Sequence, residues 1–371
     1  PGFLEGDSAP LAQLFVTVDD ETRVLGSESI SWERAFGWIP TFSCRVADLT
    51  VRGTICAPHG ANADIAGVVI SVSFQNKSGR PRTFSLGLRG TFGHRQLRIR
   101  TPRDFADGNS VIAAEGNSIL LEGASAESPL AFAIGGDGDF TRTVTDAAVP
   151  SWQLEREVTL ANGETHEAAF HLAGGPERDG AMAVLSVMRR RGAKALVDAT
   201  RETLGQMEPT TGNASVDRLV SRHFFFSYFC SVARAIDDAH VYVMRSRVPW
   251  NGRGVTIRDW DALMWVLPAI QLADQSLARE LLLRVCELHG YAPGGGVHYV
   301  DGSLFEPGFS LEGAAAYAIA VDSYIVQTSD DKIVEEPALA DSLYGSHDDI
   351  EARRHNTHPL YSTEVNPDGS V

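Results

Sequence analysis

The sequence predicts a multidomain β + α chain: an N-terminal antiparallel β-sandwich followed by an α-helical toroid. Three observations carry that expectation. Residues up to about 178 alternate apolar and polar with a period of two, and glycine-rich turns interrupt them. Beyond "GGPERDG" the apolar spacing changes to three and four residues. The later helical segments are separated by loops rich in Gly, Pro and aromatic residues, the arrangement in which loops rather than helices carry function.

In "GVVISVSFQNKSGRPRTFSLGLRG", Ile70, Val72 and Phe74 share one side of a strand, "NKSG" supplies turn residues, and Phe84, Leu86 and Leu88 share a side of the next. The pattern returns in "WQLEREVTLANGETHEAAFHLAGG", where Asn162-Gly163 signals a two-residue hairpin. The sandwich is expected over 1–178. Residues 179–212, with "AMAVLSVMRRRGAKALVDATRETLGQM", read as linker helices ending at "EPTTGNAS". Residues 213–371 then supply helices at about 215–236, 260–273, 275–289, 311–328 and 336–350.

The bulk numbers exclude several function classes. With 371 residues the chain is long enough for two domains, and 43% apolar and 22% charged residues are ordinary for globular proteins. A formal net charge of −16 argues against nucleic acid as a partner, since displacing phosphate counterions needs a basic face. The one basic cluster, "MRRRGAK", reads as a solvated helical face. Four scattered cysteines lack both metal spacing and the density of a disulfide scaffold, so reduced thiols in a cytoplasm are expected. No apolar run approaches the roughly 20 residues of a membrane span, and no charged-then-apolar leader opens the chain, whose first residue is Pro1. There is no G-x-S-x-G elbow, Walker loop or strand-linked G-x-G-x-x-G. "SRHFFFSYFCSVARA" reads as a buried helix with Cys230 as a core thiol.

Three loops carry candidate chemistry. After "VPWNGRGVTI", the stretch "RDWDALMW" gathers Arg258, Asp259, Trp260, Asp261 and Trp265, with Trp250 just upstream. One Asp suffices to cap a helix. Two carboxylates, a guanidinium and indoles form the set a sugar needs: bidentate acceptors for hydroxyls and an aromatic face for the apolar side of the ring. The second loop, "GGGVHYVDGSLFEPGFSLEG", offers Glu306, Phe309 and Glu312, although Glu312 is equally placed as a first-turn helix acid. The third, "LYSTEVNPDG", places Tyr361 and Glu364 before a turn, where a desolvated carboxyl can serve as a general acid. His355 and His358 could pair on a metal, but no further ligands support one, and no cofactor is expected.

This order of parts resembles the glycoside hydrolases with a six-hairpin (α/α) toroid and an N-terminal β-sandwich, of the glucoamylase and glycogen-debranching type. The resemblance rests on "RDWDALMWVLPAIQLAD", on "FEPGFSLEGAA" with its Glu306-Pro307 and Glu312-Gly313 pairs, and on "LYSTEVNPDG". It implies that Trp250, Arg258, Asp259, Trp260, Asp261, Glu306, Phe309, Glu312 and Tyr361 hold a carbohydrate and that Glu364 is the general acid. The Arg-Asp pair favours Asp259 as the matching acid, and the spacing to Leu267-Pro268 favours Asp261, so both remain. The activity implied is exo-acting, inverting hydrolysis of α-glucosidic linkages. An inverting glycoside phosphorylase and a non-catalytic carbohydrate-binding protein are the alternatives. The helices expected here fill only about half of six hairpins. The toroid is therefore expected to be truncated, with the general base beyond Val371 and a second polypeptide or a homo-oligomer completing it.

Overall fold

The structure is a computed structural model that describes residues 10–26, 30–91, 111–123, 130–145, 150–208, 210–234, 241–243, 256–257, 262–289, 293–295, 297–299 and 304–354. The chain forms two compact units that meet in sequence at Ser221 and Arg222.

The first unit contains thirteen strands among the described residues: β1 (Gln13–Val18), β2 (Glu21–Val24), β3 (Ser31–Ala35), β4 (Ile39–Val46), β5 (Leu49–Cys56), β6 (Gly67–Asn76), β7 (Arg82–Thr91), β8 (Val111–Glu115), β9 (Ser118–Gly123), β10 (Leu130–Gly136), β11 (Thr141–Thr145), β12 (Ser151–Leu160) and β13 (Thr165–Gly175). They build a five-stranded sheet, ordered β11-β12-β7-β1-β2, and an eight-stranded sheet, ordered β3-β4-β5-β6-β13-β10-β9-β8. Val72 and Phe74 of the larger sheet and Phe84, Leu86 and Leu88 of the smaller one meet in a single core with Ile70 packed against it, as the alternating pattern predicts.

The Asn162-Gly163 turn does not make a hairpin. Gly163 adopts φ +80°, as the dipeptide favours, but β12 pairs with β7 in the smaller sheet and β13 with β6 in the larger. The turn is a crossing between sheets. The "NKSG" turn crosses the other way, from β6 to β7. Fully buried Asn76 laces the two crossings together. Its Nδ2 donates to the carbonyls of Arg80 (2.7 Å), Leu160 (3.0 Å) and Ala161 (3.1 Å), and its Oδ1 accepts from the Ser78 amide (2.9 Å).

Helices α1 (Arg178–Arg191) and α2 (Ala193–Met207) break at Gly192, where φ is +83°. α1 packs on β13 and β10 through Ala181, Leu185 and Met188, an i, i+4, i+7 stripe. The basic cluster is only partly a solvated face. Half-buried Arg189 donates to the Asn117 carbonyl (2.6 Å) and the Ser118 hydroxyl (3.1 Å), and Arg191 bonds the Asn62 side chain.

α3 (Ala214–Cys230) runs into the second unit and stops short of the expected residue 236, because Val232–Arg234 pair antiparallel with Val241–Val243 as β14 and β15. It buries one stripe, Phe225 and Tyr228, and exposes Leu219 and Phe226. The region expected as a helix at 260–273 begins as a π-helical turn, Ala262–Val266, before α4 (Leu267–Ala273). Pro268 explains the wide turn: it has no N–H to donate, and its ring crowds the carbonyl four residues back. α5 (Gln275–His289) and α6 (Leu311–Thr328) match their expected spans, and α7 (Pro337–Glu351) lies within a residue of its own. α5 packs against α4, α6 and α7. Arg279 on α5 reaches Asp330 (3.1 Å) and Glu336 (2.7 Å), pinning the connection between α6 and α7.

No disulfide joins the four cysteines. Among the described residues no helix is long and apolar enough to cross a membrane. Of the large apolar side chains left exposed among them, all but Trp32 lie on the helical part, including Phe226, Trp265, Leu272, Val326 and Tyr344.

Burial, with the charge of Asp274 adding to it, pushes the Tyr228 hydroxyl up to about 12. An unfolded tyrosine ionises near pH 10, so above that pH the unfolded state loses a proton that the folded state keeps, and stability falls as pH rises towards 12. The expected loss is on the order of 2 kcal/mol across that interval. Urea unfolding of wild type and Tyr228→Phe between pH 9 and pH 12 checks it, since the variant lacks this component of the pH dependence.

Candidate functional site

A small sheet in the helical unit organises the candidate loops. β16 (Thr256–Ile257), β17 (Val297–Tyr299) and β18 (Leu304–Glu306) lie side by side and antiparallel. Ile257 is opposite His298, and His298 is opposite Leu304, with a bulge at Val297/His298. The backbone entering "RDWD" is thus one strand away from the loop that ends at Glu306. Sequence distance hides this, since about forty residues separate Ile257 from His298. On its other side "RDWD" leads into the π-helical turn, whose Ala262 and Leu263 are buried while Trp265 is two-thirds exposed. Single wide turns of this type often mark functional sites.

The second loop is pinned at its far end. Ser310 caps α6: its Oγ accepts from the Gly313 amide at 3.0 Å. Its own amide donates to the Gly294 carbonyl at 2.8 Å. Gly294 has φ +89°, and a Cβ there would come within 2.7 Å of the Ala314 nitrogen and the Ser310 oxygen, so only glycine fits this approach. Phe309 is stacked under the Arg353 guanidinium, whose carbon lies 3.6 Å from the ring centroid. That contact joins the loop to the chain leaving α7, seven residues before Leu360 begins the third loop.

Among the residues expected to hold a sugar, Phe309 and Glu312 are fully described. Glu312 is exposed and accepts from the Ser310 hydroxyl at 3.1 Å, so it supports the helix cap while its carboxylate still faces solvent. Phe309 is half-buried, with one face covered by Arg353. The backbone of Glu306 closes β18, and its side chain lies outside the described set. Trp250, Arg258, Asp259, Trp260, Asp261, Tyr361 and Glu364 lie outside the described residues, as do His355 and His358. Arg353 was not visible as a site residue from spacing: an Arg two residues past a helix resembles any helix-terminal cation complementing the dipole. Only the tertiary contact distinguishes it.

The sandwich bears a separate open trough of about 520 Å³ on the outer face of its larger sheet, with Ser43, Arg52, Ser73 and Glu167 on its floor. Short polar side chains are what a solvent-facing side of an antiparallel sheet carries. The described residues that line it all belong to the sandwich.

No protein-family model and no curated protein sequence matches the chain. Solved structures do. A protein assigned as a kojibiose phosphorylase, from the human microbiome, aligns over 87% of this chain and 46% of its own, with TM-score 0.57 and 13% identity. A bacterial glucoamylase, solved in complex with acarbose, aligns over 89% of this chain and 52% of its own, with TM-score 0.55 and 11% identity. The chain spans about half the length of these structures. Its fold is therefore the one they share: an N-terminal antiparallel β-sandwich, linker helices, and helical hairpins of an (α/α) toroid.

Proposed function

We propose that this chain is part of a carbohydrate-cleaving enzyme, an exo-acting, inverting glycoside hydrolase acting on α-glucosidic linkages of oligosaccharides or a small glucoside. The observation that carries the reading is the approach of loop ends: in the β16-β17-β18 sheet one strand, β17, lies between the entry to "RDWD" and the strand ending at Glu306, and the Phe309–Arg353 stack sets the Glu306–Glu312 loop beside the start of the chain that leads to Glu364. Helix capping alone would not require the chain segments leading to these loops to be tied together. Asp259, Asp261 and Glu312 would accept hydroxyl hydrogens of the terminal sugar, Arg258 would donate, and Trp250, Trp260, Phe309 and Tyr361 would cover its apolar face. Glu306 would stand at the loop's entry.

In the proposed reaction Glu364 gives its proton to the glycosidic oxygen as the bond from that oxygen to the anomeric carbon breaks. A water attacks the anomeric carbon from the opposite face and yields its proton to a base. The two carboxyl groups of such a pair stand roughly 6.5–9.5 Å apart to admit that water. Glu364 is the acid in this scheme, and the base is assigned to none of the residues above. The exposed apolar side chains on the helical part support a further helical layer over them, from the same polypeptide or another.

An inverting phosphorylase is the second reading, favoured by the shared fold with the kojibiose phosphorylase assignment. Incubating the complete polypeptide with α-linked glucobioses, with and without inorganic phosphate, separates the two. Phosphate-independent release of glucose is expected. Release of a sugar phosphate only when phosphate is present would make it a phosphorylase, and binding of the glucobioses without cleavage under either condition would make it a carbohydrate-binding protein.

A further inference from the structure

We infer that Arg353 is a positioning residue that holds the Glu306–Glu312 loop in place through Phe309; the inference rests on the proposed sugar-holding role of that loop. Successive turn hydrogen bonds fix the backbone after α7: Ala352 donates to Asp348 (2.9 Å), Arg353 to Ile350 (3.0 Å) and Arg354 to Glu351 (3.1 Å). The Arg353 side chain is only 20% exposed, and its Nη1 donates to the Asp349 carbonyl at 2.7 Å. Its Nε is buried without a hydrogen-bond partner among the described residues. Leaving a guanidinium N–H unsatisfied is unfavourable, so the group is held by something other than hydrogen bonding at that nitrogen. The stack supplies it: at 3.6 Å from the centroid the flat guanidinium lies on the ring, a contact that lysine's compact ammonium does not reproduce.

Phe309 stands midway between the two loop carboxylates, three residues after Glu306 and three before Glu312. The loop is thus gripped from two sides. Gly294 receives the Ser310 amide on one side, and Arg353 covers Phe309 on the other. Without the stack, the segment between β18 and α6 keeps, among the described residues, the Gly294 anchor and the helix cap. The consequence is specific: Arg353 touches no reacting atom in this account, and it determines how well the loop is ordered before a sugar arrives.

The test uses the complete polypeptide with Arg353→Met, Arg353→Lys, Phe309→Leu and Phe309→Tyr, read by hydrogen exchange and by steady-state kinetics on an α-glucobiose. Arg353→Met and Phe309→Leu should each speed amide exchange across 304–312 by about tenfold while leaving α4 and α5 unchanged. Each should raise KM several-fold with little change in kcat, and the double variant should be no worse than either single one. Arg353→Lys should behave like Arg353→Met, and Phe309→Tyr, which keeps the ring face for the stack, should leave amide exchange across 304–312 at the wild-type rate. Unchanged loop exchange in Arg353→Met overturns the inference, as does faster exchange throughout α4 and α5 with a lowered unfolding temperature, which would make the contact a general structural one. Faster loop exchange with unaltered kinetics would uphold the positioning of the loop and remove the sugar-holding role assigned to it.

Discussion

Replacing Glu364 with Gln should lower turnover of an unactivated α-glucobiose by about 10²- to 10⁴-fold, the range general acid catalysis contributes. The amide has nearly the size and shape of the carboxyl group but cannot deliver a proton to the departing oxygen. Substrate binding should change little, because the amide keeps the shape of the carboxyl group and the sugar-holding groups other than Tyr361 belong to other loops, so the loss should fall on kcat rather than KM. A glucosyl fluoride, whose leaving group needs much less protonation, should lose far less. The paired measurement distinguishes a lost acid from a damaged fold: near-wild-type turnover of both substrates removes Glu364 from the mechanism, and equal large losses on both point to damage rather than to a missing proton.

Asn76→Asp should destabilise the sandwich by about 3 kcal/mol or more, and Asn76→Ala by about 2–4 kcal/mol. The Asn76 amide is buried and gives its hydrogens to three carbonyls, two of them on the far crossing between sheets. Alanine takes a donor from all three carbonyls, leaving Arg80 with the Ser78 hydroxyl and Ala161 with the Glu164 amide. Aspartate keeps the shape but sets an oxygen against them, so it must either bury a charge or take up a proton that can serve only one carbonyl. The Asn76 side chain reaches both crossings, through Ser78 and Arg80 on one and Leu160 and Ala161 on the other, while the backbone bond from the Gly163 amide to the Asn76 carbonyl (2.8 Å) is kept in either variant. Urea unfolding with fluorescence detection checks the ordering. An Asn76→Asp variant as stable as wild type would show that the two crossings hold without the amide.

The strands of the sandwich are legible because burial on one face writes a period of two into the chain, as in Ile70, Val72 and Phe74. Their pairing is not. Asn162-Gly163 specifies a positive φ at one residue, which is local, whereas β13 lies between β6 and β10, with Ala168 opposite Val72, 96 positions away in sequence. The helices show the same division. α5 and α6 match their expected spans because their caps and periodicity are local. The expected helix at 215–236 overruns because its end is set by the pairing of Val232 with Val243.

The candidate site divides along the same line. Residue chemistry in "RDWDALMW" and "FEPGFSLEG" is visible one loop at a time, and so is the capping role that Glu312 shares with Ser310. That Ile257 lies across from His298, and that Arg353 covers Phe309, follows only from tertiary packing. Periodicity and motif spacing carry no record of which loops meet at one end of a set of hairpins.

The central claim, that these loops belong to an inverting exo-acting hydrolase of α-glucosides, is tested most directly by following the anomeric protons of freshly released glucose by ¹H NMR as the complete polypeptide cleaves an aryl α-glucoside, whose leaving group contributes no second glucose. The account predicts that β-glucose appears first and that α-glucose grows in only by mutarotation. Initial release of α-glucose, or no release of glucose from any α-linked glucobiose, would contradict it.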